Sequence, residues 1–265
     1  MPAVPPHHTR LAPEARPVKF ESTLPWGAPE LMRASAFRRG LEEDRLIDDD
    51  PASTRLSELS PSLLQDLMRF EQKGRQSEML EVMAGAVRHA RDITVHLQLY
   101  EHVLSLTVYP IHRVVHCPLP VDQFLALQLP DLEVLRVERA NLPAPDLHTL
   151  SRPGASSQYS PLGRLLWELA LRGSRDELLP EIAGHAAYRI TPGLDLSALE
   201  LTGSLASACE RLKRQTSSMR EIADWPGFDR ERAMRMLNGL YLQGGLMVTR
   251  SHPAADKDSW FGGLR

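Results

Sequence analysis

Cysteine is nearly absent: Cys117 and Cys209 are the only two in 265 residues, and they lie far apart in the chain. That excludes a disulfide-stapled scaffold and any cysteine-rich zinc module. Aromatic residues are sparse at 6%, and no apolar run approaches the roughly 20 residues that cross a bilayer. Neither sign of charge prevails, since 31 Lys and Arg face 34 Asp and Glu for a formal charge of -3. The chain as a whole has no electrostatic pull towards nucleic acid or anionic lipid, which excludes ribosomal, histone-like and polybasic membrane proteins. Residues 1–8 lack the basic start and apolar stretch of a signal peptide, so a reducing cytoplasm is the expected location. The glycine loops that cradle phosphates and the G-x-S-x-G turn that presents a nucleophilic serine are missing as well. The chain is expected not to be an enzyme and to hold no cofactor.

Proline, by contrast, is abundant, with seven of the 21 among the first 30 residues. Each one fixes φ and removes a donor, so residues 1–28 read as an arm without helix or sheet. Residues 29–59 are expected to form a short helix and an acidic linker, because positions 42–50 hold six acids and one arginine. From Ser60 and Pro61 the pattern turns helical, with Leu63, Leu64, Leu67, Met68 and Phe70 at three- and four-residue spacing. A second helix carries Met79, Leu80, Val82, Met83, Ala86 and Val87 on one broad face. The period then changes to two: Ile93, Val95, Leu97 and Leu99 alternate with Thr94, His96 and Gln98, and Leu104, Leu106 and Val108 alternate with Ser105 and Thr107. Further strands are expected at 111–117 and 132–138, with a turn or two of helix at 121–127. The helices at 60–90, Met stripe included, are the expected cover for one face of this antiparallel sheet. Residues 141–160, rich in Pro, Gly and Ser, are the expected linker between domains. A helix with Leu162, Leu165, Leu166, Trp167, Leu169 and Ala170 follows, ending near Gly173. The expected class is α+β: a helix-covered small antiparallel sheet (60–140), then a mostly helical region (161–250) and a tail (251–265).

Residues 197–250 carry the most ordered punctuation. Leu199, Leu201, Leu205, Ala208, Cys209 and Leu212 predict a helix to about Arg214, and Met219, Ile222 and Ala223 a short one. Pro226 and Gly227 break it, Asp229 caps a long helix with Ala233, Met236, Leu237, Leu240 and Tyr241 as its core stripe, and Gly244-Gly245 precede an apolar strand. The REIA tetrad at 220–223, the turn at Gly227 and the LNGLYLQGGLMV segment at 237–248 resemble a winged helix-turn-helix. The stretch is also similar to the winged-helix tails of bacterial PATAN-type signalling proteins. That resemblance implies three helices plus a β-ribbon, with the long third helix meeting either a DNA groove or a protein. Eight basic residues against four acids between 211 and 250 leave a local excess of positive charge. Arg220, Arg230, Arg232, Arg235 and Arg250 are the candidate contacts for nucleic acid or a partner, Arg232 and Arg235 sharing a helical face.

Other chemistry is weaker. His112 and His116 are spaced to leave one sheet face, with His96 on a neighbouring strand, but no supporting acids recur at metal-ligand spacing, so no metal is expected. His7 and His8 fall in the arm. Cys209 lies on the apolar face of its helix and reads as core rather than nucleophile. The function expected is that of a non-catalytic bacterial regulatory or adaptor protein acting through protein contacts, with a DNA-binding transcription regulator as the alternative and no membrane role.

Overall fold

The computed structural model describes residues 32–47, 79–140, 142, 144–145 and 159–255. The expected arm at 1–28, the helix expected at 60–70, most of the expected linker and the end of the tail lie outside the described residues. The architecture is α+β, with seven α-helices among the described residues and an antiparallel main sheet. A two-residue strand β1 (Met32–Arg33) leads into α1 (Ala34–Ile47), so the acidic run begins inside a helix rather than a linker. Then come α2 (Met79–His89), β2 (Ile93–Leu99), β3 (His102–Tyr109), β4 (Val114–His116), α3 (Val121–Leu125) and β5 (Glu133–Arg139). The sheet order is β5-β2-β3-β4-β6, where β6 is Tyr159–Pro161, and β1 lies on the same edge of β3 as β4 does.

The alternation read in the sequence holds in β2 and β3. Ile93, Val95 and Leu97 pair with Val108, Leu106 and Leu104 on the core face, while Thr94 and His96 pair with Thr107 and Ser105 on the other. Three details depart from expectation. In β5 the register slips between His96 and Leu97, which face Arg136 and Val134, leaving Leu135 as the extra residue of a bulge. The bulge lets both Val134 and Val137 turn to the core, which strict alternation forbids. The strand expected at 111–117 is shortened to β4, because Ile111, His112 and Arg113 form the turn after β3 and Arg113 adopts φ 55°. The chain also re-enters the sheet at Tyr159 and Ser160, which pair with His116 and Val115 inside the segment expected to be linker.

One hydrophobic core runs through both halves, from Met79 and Met83 of α2 to Leu240 of the C-terminal helices. The Met stripe is thus core. Beyond β6 lie α4 (Leu162–Arg172), β7 (Ala187–Ile190), α5 (Gly203–Arg214), β8 (Ser217–Ser218), α6 (Met219–Ala223), α7 (Arg230–Leu242) and β9 (Leu246–Thr249). The α5 helix starts later than the leucine pattern predicts, since Leu199 belongs to a 3-10 turn (Ser197–Leu199) closed by Glu200 at φ 48°. Arg113 ties the halves together: it donates to the Leu242 carbonyl at 3.3 Å and to Gln243 Oε1 at 3.1 Å, at the C-terminal end of α7 where carbonyls lack helical partners. Burial holds its guanidinium below the usual arginine range.

The α4 and α7 helices meet at Gly239. A Cβ there would stand 2.6 Å from Cε3 and 2.8 Å from Cζ3 of Trp167, whose side chain is fully enclosed by the core. Alanine is the better helix former by about 1 kcal/mol at a solvated site. Here Gly239→Ala is expected to destabilise by about 1–3 kcal/mol, because a buried indole must move. A urea titration with an unchanged slope and a lower midpoint is the expected reading; a raised midpoint refutes the close packing.

Candidate functional site

The C-terminal module begins with local signals that do their work in place. Ser218 accepts a bond from the Glu221 amide at 3.2 Å while Glu221 accepts from the Ser218 amide at 3.1 Å, a reciprocal cap that starts α6. Asp229 accepts from the Arg232 amide at 2.7 Å and starts α7. Gly244, at φ 72°, supplies the left-handed residue that ends it. The strand that follows, β9, pairs antiparallel with β7, and β7 also pairs with β8. The central strand of this three-stranded sheet therefore comes from upstream of α5, whereas the ribbon expected from the sequence would follow the long helix.

The α7 helix is enclosed. Ala233, Met236, Leu237, Asn238, Gly239, Leu240 and Leu242 are buried, and only Arg230, Glu231 and Arg232 of its first turn are exposed. The five candidate arginines separate accordingly. Arg235 points inward: it donates to Glu231 at 2.8 Å and to the carbonyls of Gly173 at 2.7 Å and Leu171 at 3.4 Å, capping the end of α4. Arg250 donates to the carbonyls of Ala183 at 2.9 Å and Glu181 at 3.3 Å. These two are structural rather than free cations. Arg220 is exposed on α6 and already has an interaction partner. Arg230 is exposed, and Arg232 lies over the Phe228 ring at 5.5 Å. Arg232 and Arg235 share a helical face as the spacing predicted, yet their roles differ, because one faces the α4 end and the other faces water.

Between the end of α4 and the start of α7 lies an open cavity of about 330 Å³. Arg172, Arg232, Arg235, Asp229 and Glu231 line it. Arg172 escapes a sequence reading, since nothing in the pattern brings it beside the later arginines. Its guanidinium is also within 3.3 Å of Glu168 one turn back.

A second polar group occupies the face of the main sheet opposite the core. His96 Nδ1 is 2.8 Å from Ser105 Oγ, His96 Nε2 is 3.1 Å from Glu138 Oε1, and Arg136 Nε is 3.3 Å from Glu138 Oε2. Phe37 of α1 packs on the imidazole with centroids 5.0 Å apart. Side by side, Thr94 and Thr107 share a hydroxyl contact at 3.1 Å. This row of cross-strand pairs orients His96 and joins three strands. His112 sits in the turn, away from His116, which instead packs on Tyr159 with centroids 5.0 Å apart. The two do not leave one face together as their spacing suggested. Among the described residues no three His, Cys, Asp or Glu converge as a metal site.

Cys209 is buried against the core, which pushes its thiol from 9.0 up to about 12. Burial likewise raises the Tyr109 phenol, which donates to the Leu142 carbonyl at 3.2 Å. A raised folded value means the folded state holds its proton more tightly. The stabilisation is complete below the unfolded value and is lost as pH climbs towards the folded one. For Cys209 that window runs from 9.0 to about 12. Urea midpoints are expected to fall from about pH 9 upward, with Cys209→Ala flattening the first part of the decline. A flat profile to about pH 11 contradicts the burial.

No protein-family model, curated protein or solved structure matches the chain.

Proposed function

We propose that this is a non-catalytic regulatory or adaptor protein of the cytoplasm, acting through protein contacts by way of a winged-helix-like C-terminal module. The observation that supports this reading is that no residue of α7 beyond its first turn is exposed. A helix that reads DNA must lay an exposed face along the major groove, and α7 spends that face on α4 and the core. Two of the five candidate cations are also committed to carbonyls inside the fold. The main sheet adds little chemistry, since its polar row links strands and lies beneath Phe37. No described helix is long and apolar enough to cross a membrane.

The DNA-binding alternative keeps one observation in its favour: Arg230 and Arg232 are exposed on the first turn of α7, and no carboxylate among the described residues pairs with either. Asp229 and Glu231 flank them and repel phosphate. The experiment is a pair of measurements on the full chain. Anisotropy with a labelled duplex at low salt is expected to give no salt-dependent affinity, and affinity purification is expected to return a defined, stoichiometric protein. Tight duplex binding that weakens steeply with salt and vanishes in Arg230→Glu/Arg232→Glu reverses the order of the two readings.

A further inference from the structure

We infer that the cavity between the end of α4 and the start of α7 is a docking notch for a carboxylate side chain on an acidic segment of the partner; this rests on the protein-contact reading. Three arginines, Arg172, Arg232 and Arg235, line one cavity of about 330 Å³, room for a side chain or two and not for a duplex. The acids that line it are already committed. Asp229 holds the Arg232 amide at 2.7 Å, and Glu231 holds Arg235 Nε at 2.8 Å. Arg235 is further fixed by the Gly173 carbonyl, so it forms the rigid back wall. Arg232, steadied over Phe228 and without a carboxylate partner among the described residues, presents its guanidinium edge to an incoming anion. A planar fork of donors matches a carboxylate in two-point fashion. Charge selects the ligand: Arg235 is paired with Glu231 and Arg172 with Glu168, which leaves Arg232 as the one lining arginine without a carboxylate partner among the described residues. That suits a singly charged carboxylate better than a doubly charged phosphate. The free valence is on the α7 side, and Arg172, exposed on the α4 side, is tied only to the half-buried Glu168.

The test uses the full chain and a fluorescein-labelled decapeptide of alternating glutamate and glycine, read by anisotropy at low salt. Saturable binding is expected, weakened about tenfold or more by Arg232→Glu, which replaces attraction by repulsion at the open edge. Arg232→Ala and Arg172→Ala are expected to weaken it in the same direction. Arg230→Glu, on the same exposed turn but outside the lining, is expected to change it less than about twofold. Unchanged thermal midpoints in the variants show that the fold is intact. Absence of saturable binding, full affinity in Arg232→Glu, or equal losses in the Arg230 and Arg232 variants overturns the notch. Inorganic phosphate displacing the peptide far better than acetate overturns the carboxylate assignment. A partner captured equally by wild type and Arg232→Glu overturns the notch and leaves the adaptor reading standing. Arg232-dependent peptide binding without any captured partner supports the notch and removes the adaptor reading.

Discussion

Arg175→Ala is expected to cost the fold about 3–5 kcal/mol, the usual consequence of removing one member of a buried ion pair. Arg175 donates from Nη1 to Glu81 Oε1 at 2.6 Å, from Nε to the Glu177 carbonyl at 2.8 Å and from Nη2 to the Leu178 carbonyl at 2.7 Å. Both side chains of the pair are almost wholly enclosed, 10% and 9% exposed, so water cannot take the lost partner's place. The pair clamps α2 to the segment that follows α4. Chemical denaturation gives the number, and the controls separate charge from packing. Glu81→Gln with Arg175→Met, which removes both charges and keeps the volume, is expected to recover most of the loss. If Arg175→Ala loses less than about 1 kcal/mol, the pair behaves as a surface bridge and the clamp is wrong.

The second large loss is expected at Asn238, which is completely buried in the middle of α7. Its Oδ1 accepts from the Leu179 amide at 2.9 Å and its Nδ2 donates to the Glu177 carbonyl at 2.8 Å. Asn238→Ala leaves a buried amide without an acceptor and a small void, for about 2–4 kcal/mol in all. Asn238→Asp keeps the acceptor but loses the donor and places a carboxylate in the core, so it is expected to be at least as damaging near neutral pH. Hydrogen exchange offers a site-specific check. The Leu179 amide is expected to be protected almost to the global limit in the wild type and to exchange much faster in Asn238→Ala. Equal exchange in the two proteins shows that another acceptor holds that amide.

Both residues fasten the same stretch, 175–179, one to α2 and the other to α7, and neither attachment is visible in the sequence. The stretch has no helical or alternating period of its own. Its partners lie 94 and 59 residues away along the chain, and a single asparagine in a leucine-rich helix reads as an exposed position until packing encloses it. The same distinction runs through the candidate site. Arg232 and Arg235 lie on one face as their three-residue spacing requires, but their fates depend on what stands opposite. Arg235 meets the carbonyl end of α4 and becomes structural, as Arg250 does against Ala183 and Glu181. Arg172 joins Arg232 only because α4 and α7 cross where Gly239 lets Trp167 approach.

Local physics was enough for β2, β3, α4 and the starts and stops of α6 and α7. Alternation, helical spacing, the Ser218 and Asp229 caps and the Gly244 turn act over a few residues, so a linear pattern carries them. Tertiary contact decided the rest: the bulge that turns Val134 and Val137 to one side, the return of Tyr159 to the sheet, and the use of β7 as partner to β9. It also made α7 an interior helix. Those outcomes depend on which surfaces meet after the chain has folded back on itself, and energies of burial and hydrogen bonding between distant residues leave no period in the sequence to read.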